Sequence, residues 1–315
     1  MSGHRPPDAS RVPRYTGIRT FARCPDTPEL DGVDVAVVGV PFDTTTSFRP
    51  GARFGPEAIR SASVLLRDYH PPLDVEVFPT LSIVDRGDVP TIPGNTQRSL
   101  ELIADGVGEV LDAGALPLCL GGDHLIALGE LRAHAARQGP VALVLLDAHA
   151  DTWDAYFGER YFHGTPFRRA VEEGLLAPER SLMAGMRGSR YSRDDLDETR
   201  ELGFEVISGE ELRAISAEEY GARVRERVGD APAVLSFDID FLDPAFAPGT
   251  GTPEVGGPSS AEALALVRAL TGIGFRGFDV VEVSAPYDTA GQTTALAAAS
   301  VAYEMLALTA VGGAG

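Results

Sequence analysis

This 315-residue sequence is poor in cysteine and in positive charge. Two cysteines, Cys24 and Cys119, are too few for a disulfide framework, and Cys119 stands in an apolar run that reads as a buried thiol. Lys and Arg together number 27 against 46 Asp and Glu, a formal charge of −19. That balance argues against nucleic acid or an anionic membrane as partner, because both require a basic face. It also gives a small cationic substrate a favourable field. The opening MSGHRPPDAS lacks the apolar core of a signal peptide. The longest apolar stretch, 294–313, is alanine-rich and interrupted by Glu304, which suits a core helix better than a membrane span. The cytoplasm is the expected compartment. Repeats, low-complexity linkers and composition breaks are also missing, so one domain is expected over 33–315 behind an N-terminal arm, 1–32.

What is present is an alternation. Short apolar runs at 35–40, 115–120, 141–146, 234–237 and 278–283 are flanked by Gly, Asp or Pro, as strands buried on both faces should be. Helical segments at 55–66, 99–112, 126–137, 216–228 and 260–270 lie between them. Ser259, three residues before Glu262, marks a capping box at the start of the last of these. The alternation predicts an α/β fold, a parallel sheet covered by helices.

In such a sheet, ligands bind beyond the carboxyl ends of the strands. Three runs end there in acids and histidines: GGDH with Asp123 and His124, DAHAD with Asp147, His149 and Asp151, and DIDFLD with Asp238, Asp240 and Asp243. Alternate side chains of an extended chain point the same way, so Asp147, His149 and Asp151 can converge, and Asp238 and Asp240 repeat the geometry. A single such motif is commonly a helix cap or a polar turn. Three of them argue for function, because His124, His149 and His163 are half of the six histidines; His134, in a helical stretch, is read as solvated. Four buried carboxylates require compensating cations. An oxygen and nitrogen donor set without thiolate suits Mn²⁺ or a similar ion, and two ions sharing carboxylates would use all the donors.

At these residues the sequence closely resembles the ureohydrolases, the arginase and agmatinase family. The motifs run in order: GVPFDTTTSFRPGARFGPEAIR (39–60), GGDH (121–124), DAHAD (147–151), HGTPF (163–167), SFDIDFLDPAFAPGTGTPEVGG (236–257) and FDVVEVSAPYD (278–288). The resemblance implies a three-layer α/β/α fold with a parallel sheet of about eight strands, assembled as a homo-oligomer, trimer or hexamer. It implies two Mn²⁺ ions per subunit. One would be held by His124, Asp147, Asp151 and Asp238, the other by Asp147, His149, Asp238 and Asp240. His163 would shuttle protons, Asp240 would pass a proton to the leaving nitrogen, Glu282 would grip the guanidinium, and Thr252 would lie near the substrate. Leu125 departs from the Ser that many members carry after GGDH.

The activity so implied is hydrolysis of a guanidino compound to urea and an amine. The loop 152–162, TWDAYFGERYF, lacks the Asn and Ser with which arginases hold the α-amino and α-carboxylate groups, which counts against arginine. Asp154 or Glu159 would receive the ammonium of agmatine, and Arg160 the carboxylate of a guanidino acid. Agmatine is the substrate expected first. Guanidinobutyrase, guanidinopropionase or proclavaminate amidinohydrolase chemistry is the alternative. Trp153, Tyr156 and Phe157 could stack on the alkyl chain. An inactive scaffold subunit and a single-zinc deacetylase are the competing classes.

Overall fold

The computed structural model describes residues 3–312. Eight strands form one sheet: β1 (Val35–Val40), β2 (Ile83–Asp88), β3 (Leu116–Gly121), β4 (Ala142–Leu146), β5 (Leu182–Met186), β6 (Glu205–Ser208), β7 (Ala233–Asp238) and β8 (Phe275–Val281). Their spatial order is β2-β1-β3-β8-β7-β4-β5-β6, with every pair parallel. Parallel pairing demands crossovers, which put helices on both faces. The principal helices are α1 (Gly55–Ser63), α2 (Thr96–Asp112), α3 (Ile126–Gln138), α4 (Pro166–Glu172), α5 (Asp195–Glu201), α6 (Ala217–Val228), α7 (Ser260–Arg268) and α8 (Thr293–Gly312). Two apolar cores result. Alternate residues of the strands pack with α1, α6, α7 and α8 on one face, and the others with α2 to α5 on the opposite face.

All five strands expected from the apolar runs are present, with ends shifted by up to three residues. The other three carry weaker patterns. β2 reads IVDRGD, and its acids are tolerable because Arg60 of α1 reaches Asp85 at 2.7 Å and Asp88 at 2.5 Å. β5 and β6 are short, at five and four residues. Ser259 does form the expected capping box with Glu262. The stretch before β1 has no periodicity, yet Phe21 is fully buried there, its N–H donating to Asp85 while that of Ala22 donates to Ser63 Oγ.

The final helix, α8, is long and apolar enough to cross a membrane, but most of its apolar window is buried within the protein. Its Glu304 is buried and carries two partners, His70 at 2.9 Å and Arg268 at 2.5 Å. Residue 313, which the sequence reading included in this helix, lies outside the described residues.

His134 is a correction. It is buried rather than solvated, because α3 crosses β8 at Gly277, and the ring occupies the space where a side chain at 277 would stand. Its Nδ1 meets Gln138 Nε2 at 3.0 Å. Burial, with Arg137 nearby, lowers the pKa from 6.5 to about 4. A histidine held neutral in the folded state contributes stability that is present above pH 6.5 and lost as the pH falls through 4. Urea melts from pH 7 to 4 should show wild type losing about 3 kcal/mol more than His134→Leu over that window. Parallel losses in the two proteins would remove His134 as the cause.

Candidate active site

The four central strands of the sheet, β3, β8, β7 and β4, are neighbours, and each delivers functional groups just beyond its carboxyl end. β3 runs into Gly121-Gly122-Asp123-His124. Gly122 is obligatory here, since a Cβ would stand 2.5 Å from Val40 O and 2.6 Å from Phe42 O. Asp123 takes no place among the metal-type donors. It accepts hydrogen bonds from Thr45 N at 3.0 Å, Thr45 Oγ1 at 2.8 Å and Leu125 N at 3.1 Å, and so ties the 42–47 loop to the strand end. Burial and the nearby Glu282 push its pKa up to about 7.

His124 is fully buried, with Nδ1 lying 2.9 Å from Asp151, 3.2 Å from Asp147 and 3.3 Å from Asp238. His149 Nδ1 lies 3.1 Å from Asp240 and 3.6 Å from Asp147. Two donor sets emerge, each with ligand atoms within 4.8 Å of one another: His124, Asp147, Asp151 and Asp238, and Asp147, His149 and Asp240. Asp147 belongs to both. Asp238, expected to bridge as well, stands in the first set, and its Oδ1 accepts the N–H of Asp240 at 2.8 Å. Asp243 is not in either set; it caps the turn at Ala245 and Gly256.

The electrostatics explain what the sets are for. Burial and the carboxylates at 240 and 147 push Asp238 far above the usual carboxylate range, and burial above all holds Asp240 up to about 6. Burial would lower both imidazoles, but the surrounding carboxylates raise His124 and His149 well above 6.5. Without another cation, the cluster can exist only by borrowing protons. His124 Nδ1 and Asp147 Oδ2 are buried without a hydrogen-bond partner among the described residues, which is costly unless something else coordinates them. Oxygen and imidazole donors without sulfur fit a divalent ion such as Mn²⁺.

Two site residues sit in the left-handed backbone region, Asp151 at φ 51° and Glu282 at φ 63°. Strain of this kind costs about 1–3 kcal/mol per residue and persists only where the surroundings impose it. At Glu282 it turns the side chain so that Oε1 accepts from His124 N and faces His163 Nδ1, both at 2.9 Å. Oε2 is buried and has no hydrogen-bond partner among the described residues. Burial works against a charged His163, but Glu282 outweighs it and lifts the pKa to about 9. The other ring nitrogen meets Ser47 Oγ at 2.7 Å.

A cavity of about 640 Å³ opens over this cluster. Its walls include His149, Asp151, Asp238, His163, Thr252 and Trp153, together with Ser47, Arg49, Tyr156, Arg190, Tyr191 and Glu254. Thr252 Oγ1 is 3.3 Å from Asp240 Oδ2. Trp153 lies against Gly164, donates to Asp195, and packs with Tyr156 and Tyr191.

The charged residues of the 152–162 loop behave differently from expectation. Asp154 binds the buried Arg169 at 2.6 Å, and Arg160 binds Glu172 at 2.6 Å. Neither they nor Glu159 and Phe157 line the cavity. Arg49, Arg190 and Glu254 do, and sequence reasoning did not single them out. Arg49 and Glu254 lie inside the quoted motifs, whereas Arg190 sits in an irregular segment with no motif to mark it.

Paired acidic and imidazole donor sets at the carboxyl edge of a parallel sheet make a candidate metal centre in a three-layer α/β/α fold. Residues 33–307 match the arginase family, and the chain belongs to it as an amidinohydrolase of guanidino compounds. It is 46% identical over 306 residues to a guanidinobutyrase of Pseudomonas aeruginosa, covering 96% of each chain. It is 47% identical over 305 residues to a guanidinopropionase of the same organism, covering 96% of this chain and 95% of the other. Among solved structures, a hypothetical agmatinase from Burkholderia thailandensis superposes with a TM-score of 0.88 at 42% identity, covering 96% of this chain and 94% of that one.

Metal should therefore stabilise the fold by relieving carboxylate repulsion. After chelation, Mn²⁺ at about 100 times its dissociation constant should add about 2.7 kcal/mol per site, read as a rise in melting temperature. In Asp147→Ala, which removes the residue common to both sets, that rise should vanish. An undiminished rise would place the ions elsewhere.

Proposed function

We propose that this protein hydrolyses a short guanidino acid, such as 4-guanidinobutyrate or 3-guanidinopropionate, to urea and an amino acid, using two Mn²⁺ ions per subunit. The observation that carries a carboxylate tail is the cavity wall, where Arg49 and Arg190 outnumber the single acid Glu254 above the metal-type donors. The names borne by the two Pseudomonas relatives favour the same reading. Agmatine, giving putrescine and urea, is the second reading. Glu254 favours it, as does the name of the Burkholderia structure, but Asp154 no longer does, its carboxylate being taken by Arg169.

His124, Asp147, Asp151 and Asp238 would hold one ion and Asp147, His149 and Asp240 the other, and the pair would supply the Lewis acidity that ionises a water near neutral pH. The remaining work falls to side chains. Glu282 is held through Oε1 by His124 N and His163, leaving Oε2 to accept a guanidinium N–H. A buried acceptor fixed in this way orients the planar cation so that its carbon faces the attacking oxygen. Asp240 Oδ2, within reach of His149 and Thr252, takes the water's proton and returns it to the leaving nitrogen as the carbon–nitrogen bond breaks. His163 holds a proton on Nδ1 towards Glu282, while its Nε2 accepts the N–H of Ser47 at 3.1 Å, and it lies at the cavity wall, where protons exchange with solvent.

Urea release across 4-guanidinobutyrate, 3-guanidinopropionate, agmatine and arginine tests the tail. A guanidino acid should be preferred, and Arg190→Ala should raise its KM about 10- to 100-fold, the worth of one charge-assisted contact, while leaving that of agmatine unchanged. Preference for agmatine would select the second reading. Glu282→Gln should lower kcat/KM at least 100-fold on every substrate, since it weakens the guanidinium contact common to them all. Wild-type kinetics in that variant would exclude Glu282 from the site.

A further inference from the structure

Behind His124, on the side away from the cavity, a buried polar chain runs into the sheet. His124 Nε2 lies 2.9 Å from Ser236 Oγ on β7, and Ser236 Oγ donates to Asp279 Oδ1 on β8 at 2.7 Å. Ser236 and Asp279 are register partners on adjacent strands. All three residues are buried, with exposures of 0% for His124, 1% for Ser236 and 4% for Asp279. Asp279 neither lines the cavity nor belongs to either donor set. A carboxylate in the middle of a buried strand is expensive and calls for a reason.

Proton counting supplies one. A serine hydroxyl has one hydrogen, and here it goes to the Asp279 carboxylate, which has none to give. The oxygen of Ser236 is thereby left as an acceptor, and His124 must present Nε2–H to it. In the neutral ring the lone pair then sits on Nδ1, the atom facing Asp147, Asp151 and Asp238. We propose that Asp279, acting through Ser236, is a positioning residue that sets the tautomer and orientation of His124 for the ion in the first donor set. The proposal rests on that set being a metal site. Outer partners of ligating histidines commonly contribute 10- to 100-fold in metal affinity.

Mn²⁺ binding, followed through the electron paramagnetic resonance signal of the free ion, tests the chain in stripped wild type, Ser236→Ala, Asp279→Ala and the double variant. Wild type should bind two ions. Each single variant should weaken one of them about 10- to 100-fold and spare the other. Because the two residues act in series, the double variant should bind no more weakly than the worse single. A purely structural role for Asp279 predicts losses that multiply, and that result would overturn the proposal. So would affinities within about threefold of wild type in Asp279→Ala. If that variant does not fold, Asp279→Leu keeps the volume but offers Ser236 no acceptor, and wild-type affinity for both ions there would equally overturn it. Wild type that binds no Mn²⁺ would instead remove the metal-site reading, and this proposal with it.

Discussion

Repulsion among buried carboxylates at the carboxyl edge of the sheet is the constraint to which the rest of this structure answers. Asp147, Asp151, Asp238 and Asp240 are buried beside two imidazoles at the floor of the cavity, and Asp123 and Glu282 stand close behind. Bringing these groups out of water carries an energy penalty that only cations can offset. The protein offers two kinds of compensation: raised histidine pKa values when no metal is present, and two preformed sets of oxygen and nitrogen donors when metal is supplied. Glu282 is treated separately. Its first oxygen is satisfied by a backbone N–H and a histidine and its second is left open, which suits a substrate that is itself a cation.

The fold meets this constraint by rigidity. Four neighbouring parallel strands, buried on both faces, end at the same height and feed their groups into one volume. Where a regular strand end would aim a side chain wrongly, the backbone accepts strain, as at Asp151 and Glu282. Behind the ligands the same strands carry the Ser236–Asp279 pair, so the sheet supports the site as well as presenting it. The cavity above is built otherwise, from loops after β1, β4, β5 and β7.

That division explains what was legible in advance. Strands at 35–40 and 233–238 announce themselves as apolar runs, whereas IVDRGD at β2 is a strand only because Arg60 crosses from α1 to neutralise it. His134 looks like a surface histidine in LRAHAARQ, and becomes a core residue because Gly277, more than a hundred residues later, leaves it room. The metal-type donors were readable because they fall in short motifs at strand ends, but the chain there is not extended: a bend at 148–149, Asp151 at φ 51° and a 3-10 turn at Ile239–Phe241 bring them together. The loop charges were not readable. The sign of Asp154 and its place in the loop offer it, with Glu159, to a substrate ammonium, whereas its partner is Arg169 of the following helix.

From sequence alone came the layered α/β architecture, the six metal-type donors and the resemblance to the ureohydrolases, all of which depend on periodicity and on motifs a few residues long. Tertiary structure decided which charges face the cavity and which pair with each other. Arg49 and Arg190 entered the cavity, Asp154 and Arg160 left it, and Asp279 came to stand behind His124. The physical reason is that a charge selects its partner through space. Pairing between groups distant in sequence is settled by packing, and no local pattern records it.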